Sequence, residues 1–426
     1  MFKTNENNKP CNNGCLIVPF SRQAVARFTQ AIMVSIFLLL HSAFAVSPTE
    51  YGAVAGDDLD DTEALQAAID NNSEIYLDGE FMVSNTLTLH SDLLIESNGR
   101  GGLLMISGPD GFGNLDATNE YSDSAIGLFG ENVENVQLKN FKVTKQFQDR
   151  SNVSAVRIRG GDNIQVSGLD ITGFSNGLLI AFDSVRWGFI NNNYIHGSYT
   201  SSEAQHTAIA IDSSRVIDAG TILNSSSVLV DNNFIMGLKV SQQLRDRNRV
   251  ETDGINIAGP ETHDIWLTDN AISQVGEGID SFGQRVSVRG NSLYQNYIFG
   301  IKLIHGASNS VVSGNEIIRP AKVGIVLAGS NSVQRNTSAN QIIDNYISGV
   351  GQNSAINWRP RYTAGISLEE NGSQSGVVVG NTIDSNRIAN TGQMDYGVLC
   401  DVPHDNQISN LDLQGNALQA GLRDCS

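Results

Sequence analysis

The amino-acid sequence predicts an all-β solenoid, a chain wound into stacked coils, and three observations predict it. Near-copies of one phrase, Thr252-Asp-Gly-Ile-Asn-Ile257, Gly276-Glu-Gly-Ile-Asp-Ser281 and Phe299-Gly-Ile-Lys-Leu-Ile-His-Gly306, place Gly254, Gly278 and Gly300 at intervals of 24 and 22 residues. That spacing is one turn of a stacked β-solenoid rather than of a helix or a hairpin. A small residue followed by an aliphatic one also recurs at Ala125-Ile126, Ala155-Val156, Gly177-Leu178, Ala208-Ile209, Gly324-Ile325, Gly365-Ile366 and Gly397-Val398, so ten coils are visible. Asn followed two residues later by an aliphatic side chain recurs at Asn193, Asn233, Asn270, Asn291, Asn315, Asn345, Asn381 and Asn416. Asn tolerates the left-handed backbone of a tight turn, and stacked copies can form an amide ladder.

Composition agrees, with 42 Gly against 8 Pro in 426 residues, the economy of many short strands joined by tight turns. From the N-terminus, Lys3, Lys9, Arg22 and Arg27 precede the apolar run Ala31–Leu40 and then Ala43-Phe44-Ala45. This is the pattern of a signal peptide over residues 1–45, because the run is shorter than the roughly 20 residues a membrane span needs. A secreted or periplasmic protein with no membrane span after cleavage is expected, with residues 46–426 as its one domain. Loss of four basic residues and Glu6 with the leader moves the net charge from −18 to −21, which excludes nucleic acid as a bulk-charge partner. Any anionic ligand must be met by local Arg or Lys. Cys400 and Cys425 remain, an even pair that in an exported chain can close the last coil as a disulfide.

Just past the leader, Tyr51-Gly-Ala-Val-Ala-Gly-Asp-Asp-Leu-Asp-Asp-Thr62 leads into Ala64, Leu65, Ala68 and Ile69, one apolar stripe of a helix that Asp60 or Asp61 can cap. A short helix followed only by strands covers the first open edge of a solenoid. This segment closely resembles the entry of the pectate-lyase-like and polygalacturonase-related proteins. The resemblance implies a right-handed, single-stranded parallel β-helix of about ten or more coils with a short N-terminal capping helix.

Alternation along each coil turns Ile255 and Ile257, Ile301 and Leu303, and Ile325 and Leu327 inward, so the residues between them point out. Coils stacked about 4.8 Å apart then bring Asp253 beside Glu277, with Asp280 and Lys302 next to them and His305 a little further along. Crowded carboxylates push one pKa upward, the condition for a general acid beside a general base. Thr252-Asp253-Gly254-Ile255 resembles the Asn-Thr-Asp-Gly motif of polygalacturonases, and Gly276-Glu277-Gly278-Ile279 stands where that family has Asp-Asp-Cys-Ile. The resemblance implies that Asp253 is the water-activating carboxylate and Glu277 the proton donor of an inverting glycosidase. Gly276 replaces that family's second aspartate, Phe299 its Gly-His-Gly histidine, and Val326 and Ala328 its Arg-Ile-Lys motif, so Asp280, Lys302 and His305 are the candidates to compensate.

Three intervals exceed one turn, 208–254, 324–365 and 365–397, and their excess should form outer loops, where ligand contacts concentrate. The first carries Arg245, Arg247 and Arg249; the second carries Trp358, Arg359, Arg361 and Tyr362. Arg holds carboxylates bidentately and aromatic rings stack on sugars, so these residues, with His206, are the expected substrate contacts. His and Cys show no metal-ligand spacing and no cofactor is expected, although the carboxylates are of the hard-oxygen type that Ca²⁺ takes.

The leading expectation is a polysaccharide-degrading enzyme that hydrolyses an acidic, uronate-containing glycan with paired carboxylates. A polysaccharide lyase or a uronate epimerase is the alternative, because a base at C5 with Lys302, His305 or an Arg at the carboxylate supplies either reaction. Asp401-Val-Pro403-His404-Asp405 is similar to the Asp-Pro-His-Glu motif of mannuronan epimerases. A non-catalytic glycan-binding or adhesion solenoid is the alternative of another class. Export of the full-length chain from a bacterial host should give a mature N-terminus at Val46, read by intact mass; a retained leader or a distant start contradicts the assigned cleavage.

Overall fold

The computed structural model describes residues 45–106, 125–146, 153–174, 177–200, 206–213, 224–240, 252–259, 261–330, 334–351, 362–369, 376–391, 393–401, 405–415 and 422–423. Each coil contributes three parallel strands. Thr252–Ile257, His263–Thr268 and Ala271–Ser273 make up one coil, and Glu277–Ser281 begins the next. The third strands stack into a 12-stranded sheet, while the first and second share a 22-stranded sheet, joined where Val153–Ser167 and Gly177–Asn191 run unbroken around a corner. The fold is a right-handed parallel β-helix, the hand taken by about 98% of parallel crossovers.

The inward pattern read from the sequence is the core. Ile209, Ile255, Ile279, Ile301, Ile325, Ile366 and Val398 pair one above another and are fully buried. Burial of each such side chain stabilises the fold by about 1.5–3 kcal/mol. The glycine before each of these aliphatics has a steric cause. A Cβ on Gly254 would lie 2.5 Å from Ile272, and on Gly300 or Gly324 equally close to Ile317 or Ile347 of the 12-stranded sheet. Two of the ten coil markers are displaced from this register. The true partners of Val156 are Leu128 and Ile180, not Ile126 or Leu178. Leu179 fills the small-residue position in its coil, so the sequence rule settles on Gly177 two residues early.

The asparagines form two ladders. Asn193, Asn233, Asn270, Asn291, Asn315, Asn345 and Asn386 are linked side chain to side chain at 2.9–3.0 Å. Each Oδ1 also accepts the backbone N–H of the preceding ladder residue, and each Nδ2 reaches a carbonyl of the coil before. Asn381 belongs instead to a second ladder with Asn340 and Asn406, so Asn386 takes the place the sequence reading gave to Asn381; Asn416 lies outside the described residues. The residue before each rung, Asn192, Asn232, Asp269, Gly290, Gly314, Asp344 or Ser385, has positive φ.

At the N-terminal end, helix Thr62–Asn71 buries Leu65, Ala68 and Ile69. Asp61 sits at its N-cap without capping it, because its carboxylate accepts Val54 N–H and Met82 N–H instead. Gln66 pairs its amide with both the C=O and the N–H of Thr88, as a neighbouring strand would, which closes the first open edge. Among the described residues no helix is long and apolar enough to cross a membrane. Cys400 is buried and disulfide-bonded, while Cys425 lies outside the described residues.

Asn291→Ala orphans the N–H groups of Asn270 and the carbonyl of Leu267 inside the ladder. At about 1–3 kcal/mol per buried orphan, it should destabilise by about 3 kcal/mol or more in a urea or thermal melt. Ser292→Ala on the exposed side of the neighbouring strand should change stability by less than about 0.5 kcal/mol, and equal effects would contradict the role of the ladder.

Candidate active site

Two outward columns of the first-strand sheet carry the candidate chemistry. In one, Thr207, Asp253, Glu277, Phe299 and Val323 are successive register partners; in the other, Ala210, Asn256, Asp280, Lys302 and Val326. Asp253, Glu277, Asp280 and Lys302 therefore meet at one place, as the 24- and 22-residue spacings predict. Lys302 Nζ lies 2.5 Å from Glu277 Oε2 and 2.9 Å from Asp280 Oδ2. Asp253 Oδ2 accepts hydrogen bonds from Thr207 Oγ1 at 3.2 Å and Asn256 Nδ2 at 3.4 Å. One carboxylate oxygen from each of the three acids lies within 4.8 Å of the others.

The cluster is not solvent-facing, as outward alternation on a solenoid would have it. Asp253, Glu277 and Asp280 are only 4–5% exposed. A second apolar cluster, Ile298, Phe299, Ile304, Val323, Val326 and Ala328, buries the same face on the C-terminal side, outside the core. The positions where the polygalacturonase pattern has its His, Arg and Lys thus carry an apolar wall that lowers the local dielectric.

Burial has an electrostatic consequence. Desolvation pushes the Glu277 carboxyl up to about 7; the Lys302 ammonium opposes that shift and the Asp280 carboxylate adds to it. Lys302 is held firmly protonated, since Asp280, Glu277 and Asp253 together outweigh its desolvation. The three acids offer oxygens of the kind a Ca²⁺ ion takes. Lys302, however, already places the protein's own cation between Glu277 and Asp280.

His305 stands at the rim with left-handed backbone; its Nδ1 lies 2.7 Å from Ser330 Oγ and its ring meets Phe282 edge-on at 4.7 Å. Desolvation, with Lys302 nearby, lowers its pKa, so it is a neutral imidazole at pH 7. His206, one position before Thr207, is fully buried and reaches Gly177 O through Nδ1; burial lowers its pKa to about 4. Of the expected substrate contacts on the long loops, Tyr362 is half-buried and packs edge-on against Tyr396, which shares the column of Glu277 four coils further on. Arg245, Arg247, Arg249, Trp358, Arg359, Arg361 and His404 lie outside the described residues. Thr207 was missed from sequence as a partner of Asp253, though its place just before Ala208-Ile209 puts it in register.

The sequence profile of the right-handed β-helix region matches residues 81–337 and 221–410. No curated protein matches the chain in sequence. Among solved structures, the A-module of the mannuronan C-5 epimerase AlgE6 of Azotobacter vinelandii is similar with a TM-score of 0.59 at 14% identity, over 86% of this chain and 94% of that one. The family 28 exopolygalacturonase of Yersinia enterocolitica gives 0.58 at 13%, over 87% and 78%. PfbA, a surface adhesin of Streptococcus pneumoniae, gives 0.55 at 17%, over 87% and 91%. At these identities the likeness is one of fold.

Lys302→Met leaves two buried carboxylates without their cation. It should destabilise the protein by about 3–5 kcal/mol above neutral pH. The folded-state pKa of Glu277 lies above its unfolded value of 4.5, so the carboxyl's contribution to stability falls as pH rises from there to about 7. The Lys302→Met deficit should therefore shrink toward pH 4–5 in thermal melts, and a pH-independent deficit would contradict the electrostatic account.

Proposed function

The chain belongs to the right-handed β-helix family, and we propose that this member is an exported enzyme that hydrolyses an acidic, uronate-containing polysaccharide with Glu277 as proton donor. The observation that carries the reading is the buried Glu277 carboxyl, raised to about 7 beside Asp253 and Asp280. A carboxylic acid that keeps its proton near neutrality can give it to a leaving glycosidic oxygen, and a carboxylate within a few ångströms supplies the matching base or nucleophile. In this reading Glu277 protonates the bridging oxygen and Asp253, oriented by Thr207 and Asn256, acts on the water or the anomeric carbon. Lys302 positions Glu277 and Asp280 and supplies the positive charge that draws a uronate toward an otherwise acidic face. Support for an acidic substrate also comes from two of the similar structures, enzymes named for mannuronan and for polygalacturonate.

Uronate C5 epimerisation or β-elimination is the second reading, favoured by the epimerase likeness; it uses the same proton-handling acids and differs in leaving an inverted C5 or an unsaturated sugar. A non-catalytic adhesion solenoid, favoured by the PfbA likeness, treats the carboxylate–lysine cluster as scaffold.

Purified mature protein tested against polygalacturonate, alginate and other polyuronides should release reducing ends without unsaturated products. Unsaturated ends or inverted residues select the second reading, and silence on every glycan contradicts catalysis. Glu277→Gln should lower the rate at least about a hundredfold, the smallest contribution usual for a general acid, while keeping the fold. The wild-type rate should fall as pH rises through about 7, where Glu277 loses the proton it must donate.

A further inference from the structure

The second-strand face carries a feature that the carboxylate site does not use. Along it Phe189, Leu229 and Trp266 are successive register partners in one outward column. Phe189 is 39% and Trp266 42% exposed, and Trp187, turned out by a positive φ of 55°, is 59% exposed. Three large aromatics on one face of the solenoid are not explained by the core, which their inward neighbours Val185, Val228, Val230, Ile265 and Leu267 already fill. Three residues earlier on the same strands, Arg186, Ser226 and His263 line a groove of about 500 Å³ at the corner between the first and second strands. Gly160 and Gly161 lie in its wall, and Asn132, Glu134, Arg186 and His263 bring polar groups to it.

We propose that this aromatic column and the adjoining groove form a second glycan-binding surface, distinct from the carboxylate site, that takes a neutral polysaccharide chain. A flat row of exposed rings offers apolar faces to the C–H faces of pyranose rings, and the groove supplies donors and acceptors for the hydroxyls. Coils repeat about every 4.8 Å, so Phe189 and Trp266, two coils apart, are about 10 Å from each other. That distance suits every second ring of an extended chain. Charge selects a neutral chain over a polyuronide. Arg186 is held by Asp162 at 2.8 Å and Arg285 by Asp264 at 2.7 Å, with Glu134 and Asp231 adding negative charge nearby.

The test is binding of neutral hexaoses (β-1,4-glucose, β-1,4-mannose, β-1,4-xylose and β-1,3-glucose), with a galacturonate hexamer beside them, read by tryptophan fluorescence and calorimetry on the whole mature protein. At least one neutral hexaose should bind, with Trp266→Ala and Phe189→Ala each weakening it about tenfold or more, the loss of one aromatic anchor. Glu277→Gln should leave that binding unchanged. These side chains are exposed, so the variants should melt as the wild type does. Binding of no neutral hexaose, equal binding by the aromatic variants, or capture only of the galacturonate hexamer at this face would overturn the proposal.

Discussion

The in-register stacking of one coil on the next is the constraint from which the other features descend. Parallel strands hold it through their ladders, but backbone hydrogen bonds alone permit slippage. The aliphatic stacks and the asparagine ladder remove that freedom. Ile255 must sit over Ile279 to stay in the core, and Asn270 must meet Asn291 to satisfy amide and backbone together. A single-residue slip in any coil would turn core side chains outward and break both at once.

Register is also what makes the candidate site. Asp253, Glu277, Asp280 and Lys302 come from three coils and are spread over some 50 residues of sequence, yet fixed stacking makes them neighbours. Their chemistry then depends on cover. The apolar wall around Phe299 and Val326 and the low exposure of the acids turn ordinary surface charges into a coupled buried group. A buried carboxyl with a lysine at 2.5 Å is a high-energy arrangement that a surface ion pair would not be. In the proposed function burial, aided by Asp280 and opposed by the Lys302 ammonium, holds a proton on Glu277.

Much of this was legible in the sequence because a small residue before an aliphatic one marks successive coils even where coil length varies. The Gly-Ile pairs from Gly254 to Gly365 gave the register of five coils, since glycine there answers a steric demand from the 12-stranded sheet. Where that demand is relaxed, as at Leu179, the marker misplaced the coil. Asn381 and Asn386 are five residues apart and both precede aliphatics, so only the hydrogen bonds separate their ladders. Burial of the acids was not legible, because alternation tells which way a side chain points and not what lies over it. The aromatic column escaped notice because Phe189, Leu229 and Trp266 are 40 and 37 residues apart, spacings that coil-length variation hides.

The central claim is that Glu277 keeps its proton near neutrality. Carbon-13 NMR of glutamate side-chain carboxyls, titrated in the wild type and in Glu277→Gln, measures it directly. The account predicts one carboxyl titrating near pH 7 in the wild type and missing from the variant. Titration of every glutamate below about pH 5, the ordinary range for an exposed carboxyl, would contradict it.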